Sequence, residues 1–129
     1  MTYCLDSWAV MAWLFEDRPA ATRVDKVLAS ARPFMSWINL GEVFYLAHRR
    51  QSEADARRLV RRLRPRLTLD LPSEARVLEA ATIKAQHRIA YGDAFAVATA
   101  VAHDATLLTG DPEILTANAG WPVEDLRFT

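Results

Sequence analysis

Four acidic residues of this chain stand where their chemistry is available for use: Asp6 in Leu5-Asp6-Ser7, Glu42 in Asn39-Leu40-Gly41-Glu42, Asp93 in Gly92-Asp93-Ala94, and Asp111 in Gly110-Asp111-Pro112. Gathered in one crevice, such carboxylates repel one another and take up protons unless a cation neutralises them. With no cysteine or histidine at ligand spacing beside them, an all-oxygen set selects Mg²⁺, or Mn²⁺, over zinc. An ion held by carboxylates keeps several waters, polarises one of them, and neutralises charge developing on a phosphodiester. The chemistry such a crevice implies is metal-assisted phosphodiester hydrolysis. Taken singly, Asp6, Asp93 and Asp111 each stand where a helix N-cap would, and Glu42 would be exposed or paired with His48 or an arginine.

The elements that carry these acids decide whether they meet. Thr2–Leu5 is a short β-prone run, and Asp6-Ser7 signals the start of a helix reaching Phe15, apolar nearly all round and so expected to be buried. Pro19–Ala31 has helical apolar spacing, Arg32-Pro33 ends it, and Phe34–Trp37 reads as a second strand. Ile38–Arg50 is helical in pattern. Ser52 with Asp55 three residues on is a capping-box signature, opening a helix with Ala56, Leu59, Val60 and Leu63 on one face that Pro65 closes. Leu67–Leu71 is a third strand, and Pro72-Ser73 starts a helix to about His87. Gly92-Asp93 opens an almost purely apolar helix, Ala94–His103, that must lie in the core. Thr106–Thr109 is a fourth strand, Pro112 starts a short helix, and Val123–Phe128 adds an edge strand. Strands alternating with helices predict an α/β fold with a parallel sheet covered on both faces. Such folds place ligand sites at the carboxyl ends of their strands. All four acids then map to one rim, although more than a hundred residues separate the first from the last.

The length of 129 residues fits a single domain, 1–129, since two halves would each be too small for a stable core. A composition of 51% hydrophobic and 25% charged residues excludes a disordered tail or a collagen-like fibre. The lone cysteine, Cys4, excludes an intrachain disulfide or Cys-rich zinc site and reads as an inert buried thiol. The longest apolar runs, Trp8–Phe15 and Ala94–Ala102, are too short to span a bilayer, and no signal peptide is visible. A soluble, cytoplasmic protein is expected. The zero net charge conceals eight arginines against Glu53 and Asp55 between Arg49 and Arg66, a segment of +6 offset by −6 elsewhere. This basic stretch is either a solvated face or a second functional surface. Trp8, Trp13, Trp37 and Phe44 read as core aromatics. His48, His87 and His103 share no ligand spacing, and Lys84 reads as a surface lysine.

Leu5-Asp6-Ser7, Asn39-Leu40-Gly41-Glu42, Tyr91-Gly92-Asp93-Ala94-Phe95-Ala96 and Leu108-Thr109-Gly110-Asp111-Pro112, in this order over essentially the whole chain, resemble a PIN domain, and more narrowly the VapC-type toxins of bacterial toxin–antitoxin pairs. The resemblance implies a three-layer α/β/α fold around a mostly parallel sheet and a Mg²⁺-dependent ribonuclease. It also implies a homodimer neutralised by a cognate antitoxin. Carried over residue by residue, Asp6 and Asp93 would hold the metal most directly, Glu42 and Asp111 would complete the pocket, and Ser7 and Thr109 would support it by hydrogen bonding. On the basic segment, Arg57 and Arg61 are expected to hold RNA phosphates or an acidic stretch of a partner. Two other readings stand beside this one. A non-catalytic RNA- or protein-binding module would use the Arg49–Arg66 surface, but it has no need to keep four acids together. A structure-specific DNA nuclease would need extra elements to grip a duplex, for which 129 residues leave little room.

Overall fold

The computed structural model describes residues 1–117 and 120–128. Its chain order is β1 (Tyr3–Leu5), α1 (Ser7–Leu14), α2 (Ala20–Ser30), β2 (Phe34–Ser36), α3 (Trp37–Arg50), α4 (Glu53–Leu63), β3 (Thr68–Asp70), α5 (Glu74–Gln86), α6 (Tyr91–Ala102), β4 (Thr106–Thr109), α7 (Pro112–Ala117) and β5 (Val123–Asp125). The strands form one sheet in the order β3-β2-β1-β4-β5, and every pairing is parallel. Because all crossovers are helical and side chains alternate along a strand, the two sheet faces fill separate cores. Leu5, Met35 and Leu108 point to one face and pack with residues of α1 to α4, including Val10, Val24, Val43 and Leu63. Cys4 and Leu107 point to the other, against Ala96, Val97 and Ala100 of α6 and Ile114 of α7. The result is the three-layer α/β/α arrangement.

Local chemistry sets most of the helix starts. Asp6, Ser36, Ser52 and Ser73 each accept a hydrogen bond from a backbone N–H in the first turn of the helix that follows. On α4, Ala56, Leu59 and Leu63 are buried while the arginines take the remaining faces. Fully burying a leucine such as Leu63 contributes roughly 1.5–3 kcal/mol.

Three expectations need correction. The helix carrying Asp93 begins at Tyr91, with Ala90 as its N-cap, so Asp93 lies inside the first turn and does not open it. The small side chains at Ala94, Ala96, Ala98 and Ala100 bury that helix through Ala100. α1 is not wholly buried: Ala9, Val10 and Ala12 face the core, whereas Trp8, Met11, Trp13 and Leu14 are half-exposed. The final strand ends at Asp125, because Leu126 turns inward to full burial and starts a single 3₁₀ turn. Pro65 likewise sits within a 3₁₀ turn, Arg64–Arg66, that continues from α4. No helix among the described residues is long and apolar enough to cross a membrane.

Candidate metal centre

A parallel sheet delivers its strand ends to one edge. Asp6 follows β1 directly and Asp111 follows β4 after Gly110, while Glu42 stands in the second turn of α3, which leaves from β2. Asp93 is placed at the same edge because α6 runs back across the sheet from there.

Asp6 is only 1% exposed. Its Oδ1 accepts from the Ala9 N–H at 2.8 Å, which is the N-cap bond, and its Oδ2 accepts from the Thr109 hydroxyl. Burial pushes its pKa up to about 7 despite those two bonds, with repulsion from Asp93 and Asp111 adding to the rise. Thr109 Oγ1 in turn accepts from the Asp111 N–H at 3.0 Å, so one hydroxyl ties the end of β1 to the loop after β4. Asp111 caps α7, accepting from the Glu113 N–H at 2.8 Å.

Asp93 stands at the third position of α6, where its carboxylate accepts from the N–H of the N-cap residue Ala90, a bond that lowers its pKa only slightly against the causes that raise it. Desolvation is the largest cause of its rise to about 7, followed by the charges of Asp111, Glu42 and Glu113. Glu42 is raised by burial too, partly offset by hydrogen bonds from the Asn39 amide, at 2.8 Å to Oε1, and from the Ser7 hydroxyl. Ser7 and Thr109 thus both donate to acids of the cluster. Neither His48 nor an arginine pairs with Glu42.

One oxygen from each of Asp93, Asp111 and Glu113 lies within 4.8 Å of the others. Asp6 is not one of these three; its two oxygens are already committed inward. Glu113 was not anticipated from sequence; it stands two residues after Asp111, in the first turn of α7. Asn39 opens the motif that ends at Glu42. It is fully buried, and besides Glu42 its Nδ2 donates to the Gly92 carbonyl at 2.9 Å, joining α3 to the first turn of α6. Its Oδ1 has no partner. The fit is tight, since a Cβ on Gly92 would stand 2.7–2.9 Å from the Glu42 carboxylate.

The basic residues are not drawn into this centre. Arg57 lies over the Phe44 ring at 5.6 Å and pairs with Glu53, while Arg61 makes no such contact. Arg49, Arg50, Arg64 and Arg66 similarly cover Tyr45, Phe15, Trp37 and Trp13. Lys84 donates to the Ile89 carbonyl at 2.7 Å, bracing the turn before α6. His103 bonds Asp70 at 2.7 Å and stacks on Phe34.

The donor set is all carboxylate oxygen, and Asp93 within it is pushed up to about 7 by burial and by the charges of its neighbours. A hard divalent cation would relieve both penalties, so the residues fit Mg²⁺ or Mn²⁺.

Among solved structures, the fold is similar to VapBC-1 from nontypeable Haemophilus influenzae, at 25% identity and a TM-score of 0.73 over 98% of this chain and 99% of that one. It is similar to a DNA-bound VapBC from Salmonella typhimurium at 16% identity, with a TM-score of 0.77 and 98% of each chain covered. A sarcin–ricin-loop-cleaving VapC toxin of Mycobacterium tuberculosis matches at 17% identity and a TM-score of 0.74, over 92% of this chain and 97% of that one. No curated protein gives a significant sequence match. The family model of the PIN domain matches residues 3–119, nearly the whole chain and every acid of the cluster. The strand order, the acidic rim and that match lead to one statement: this chain belongs to the PIN-domain family.

Proposed function

We propose that this chain is a divalent-metal-dependent endoribonuclease, the toxin of a toxin–antitoxin pair, with residues 1–129 acting as one cytoplasmic domain. The observation that carries the reading is the meeting of Asp6, Glu42, Asp93, Asp111 and Glu113 at one sheet edge, with three of their oxygens within 4.8 Å. Its solved neighbours add support, one of them a toxin that cleaves the sarcin–ricin loop.

Asp93, Asp111 and Glu113 would hold Mg²⁺ or Mn²⁺ from the open side, with Asp6 and Glu42 completing the negative field. A bound ion supplies a polarised water and neutralises charge developing on the phosphodiester. The chain's own residues do the positioning. Thr109 fixes Asp6 and the Asp111 backbone together, and Ser7 and Asn39 hold the Glu42 carboxylate from two sides. Asp6 serves as both cap and site acid, so its geometry is set by α1 before any ion arrives.

A cognate antitoxin would silence the enzyme by presenting Arg or Lys to the acids, Arg offering bidentate geometry. Neighbours solved as VapBC complexes support the antitoxin partner, and a homodimer belongs to the same reading. Arg57 and Arg61 would hold RNA phosphates or an acidic partner segment, with the unpaired Arg61 the freer of the two.

The test is cleavage of total RNA by purified protein with Mg²⁺ and after chelation. Discrete cuts that require the metal, and growth arrest relieved by co-expression of the adjacent gene product, are expected. RNA left intact at all Mg²⁺ concentrations, or cut equally after chelation, would contradict the reading.

A further inference from the structure

Two clefts adjoin the acids, one lined by Asp111 and the other by Glu113. On one side, a cleft of about 330 Å³ between α1 and α3 shares Ser7 and Asp111 with the centre and is floored by Trp8, Met11 and Leu46. α1 carries it roughly 12 Å away from the acids at 1.5 Å per residue, to Phe15, Asp17 and Arg50. On the other side, a cleft of about 420 Å³ shares Glu113 and carries His87 and Arg88.

The first cleft has a lining that packing alone does not explain. Trp8 is half-exposed, and its ring presses so closely on Gly110 that a Cβ there would lie 2.2–2.5 Å from it. The ring is therefore fixed at the lip of the acidic centre. Phe15 is 39% exposed, with the Arg50 guanidinium 4.7 Å above it. Asp17 lines the same end, yet it and Arg50 form no ion pair with each other. A carboxylate and a guanidinium that face one cleft without pairing are matched by a ligand offering acceptors to one and donors to the other. Asp17 and Arg50 are exposed, Arg50 with Phe15 as its ring partner, and an apolar peptide side chain would fill the floor without engaging the hydrogen-bonding groups of either.

The geometry points to a nucleotide subsite: one unpaired RNA nucleotide next to the scissile phosphate lies in this cleft, its base stacked on Trp8 and Phe15 and its edge read by Arg50 and Asp17. This inference rests on the ribonuclease reading. Single-stranded RNA is recognised in this manner, by stacking on aromatic and guanidinium planes and by hydrogen bonds to exposed base edges. Among the RNA bases, guanine presents paired acceptors, O6 and N7, to a guanidinium and paired donors, N1–H and N2–H, to a carboxylate. The subsite is a guanine site. The strand continues over the acids toward Arg88, which gives the far phosphate a cation on the second side.

The experiment is a fluorescence-anisotropy titration of four fluorescein-labelled single-stranded RNA heptamers, differing only in a central G, A, C or U. The protein is the full chain carrying Asp93→Asn with Mg²⁺ present, so that binding is read without cutting. The guanine heptamer is expected to bind about fivefold or more tightly than the others, and Phe15→Ala and Trp8→Ala to weaken it by about fivefold or more. Trp8→Phe should restore most of the loss, and Arg50→Gln should abolish the preference for guanine. Phe15 and Arg50 are surface residues, so their variants remain informative if Trp8→Ala fails to fold. Equal affinity for the four heptamers, or unchanged affinity in Phe15→Ala and Arg50→Gln, would overturn the subsite. Loss of antitoxin binding in these variants with RNA affinity intact would overturn it as well and make the cleft a peptide site. Failure of the ribonuclease reading shows separately, as intact RNA in the parent with Mg²⁺. Guanine-selective binding would then survive without the reaction.

Discussion

Asn39 shows how one side chain links packing to chemistry. Its amide has a single good arrangement: one N–H on Glu42 and one on the Gly92 carbonyl, with the oxygen left unsatisfied in the interior. Leaving a buried acceptor without a partner costs about 1–3 kcal/mol, a penalty accepted here at the point where α3 and α6 meet the acids. Asn39→Ala is expected to lower kcat by roughly 10–100-fold and to raise the Mg²⁺ concentration for half-maximal activity. Cleavage rates over a Mg²⁺ titration check this; an unchanged kcat with a lowered melting temperature would make Asn39 a packing residue only. Asp6, Asp93 and Asp111 were legible in the sequence because each sits beside Gly, Ser or Pro at the end or start of a periodic segment, and Glu42, in the second turn of α3, was legible through the motif Asn39-Leu40-Gly41-Glu42. Asn39 was not, because its importance lies in reaching Gly92, 53 residues away in the chain. Glu113 was missed for a related reason, since nothing local separates a first-turn acid that meets Asp93 in space from one that merely suits the helix dipole.

At the scale of elements, α6 is the piece on which the centre depends. It is buried from Asp93 to Ala100, and its first turn carries both Asp93 and the glycine that accommodates Glu42. In a free helix, alanine in place of glycine is favourable by roughly 0.5–1 kcal/mol. Gly92→Ala should nonetheless lose activity, because the added methyl occupies the space of the Glu42 carboxylate. We expect at least a tenfold fall in cleavage with little change in melting temperature. Full activity would show that Glu42 moves aside without consequence. The order and type of elements followed from periodicity and caps: Ser52, Ser73 and Asp6 all act as read. The start of α6 did not, because Ala90 has no capping side chain of its own, and Asp93, whose carboxylate answers the Ala90 N–H from the third position, reads equally well in the sequence as the cap itself. The half-open face of α1 was hidden for another reason. An all-apolar helix next to an exposed cleft has the same composition as one in a core, and only the tertiary arrangement tells them apart.

Over the whole molecule, charge is segregated into an acidic sheet edge and a basic α3–α4 surface, and the acidic edge couples stability to pH. Asp6 and Asp93 titrate near 7 in the folded chain against 3.8 for a free aspartate. Between those values the folded state holds protons that the unfolded chain has lost, so these groups stabilise the metal-free protein fully below about pH 4. That contribution declines as pH rises through about 7 and is absent above it. Mg²⁺ competes with the same protons, so it should raise the melting temperature more at about pH 8 than at about pH 5.5. Thermal unfolding with and without the ion at the two pH values checks this, and an equal shift at both would place the ion away from these acids. The most direct measurement compares the parent with Asp93→Asn, a substitution that keeps the shape of the side chain and removes its charge, for Mn²⁺ binding by calorimetry and for Mg²⁺-dependent RNA cleavage. The expected result is a parent that binds the ion and cuts, and a variant of unchanged circular dichroism that binds more weakly and cuts at least about 100-fold more slowly. A folded Asp93→Asn that binds the ion and cuts RNA at the parent's rate would contradict the metal centre.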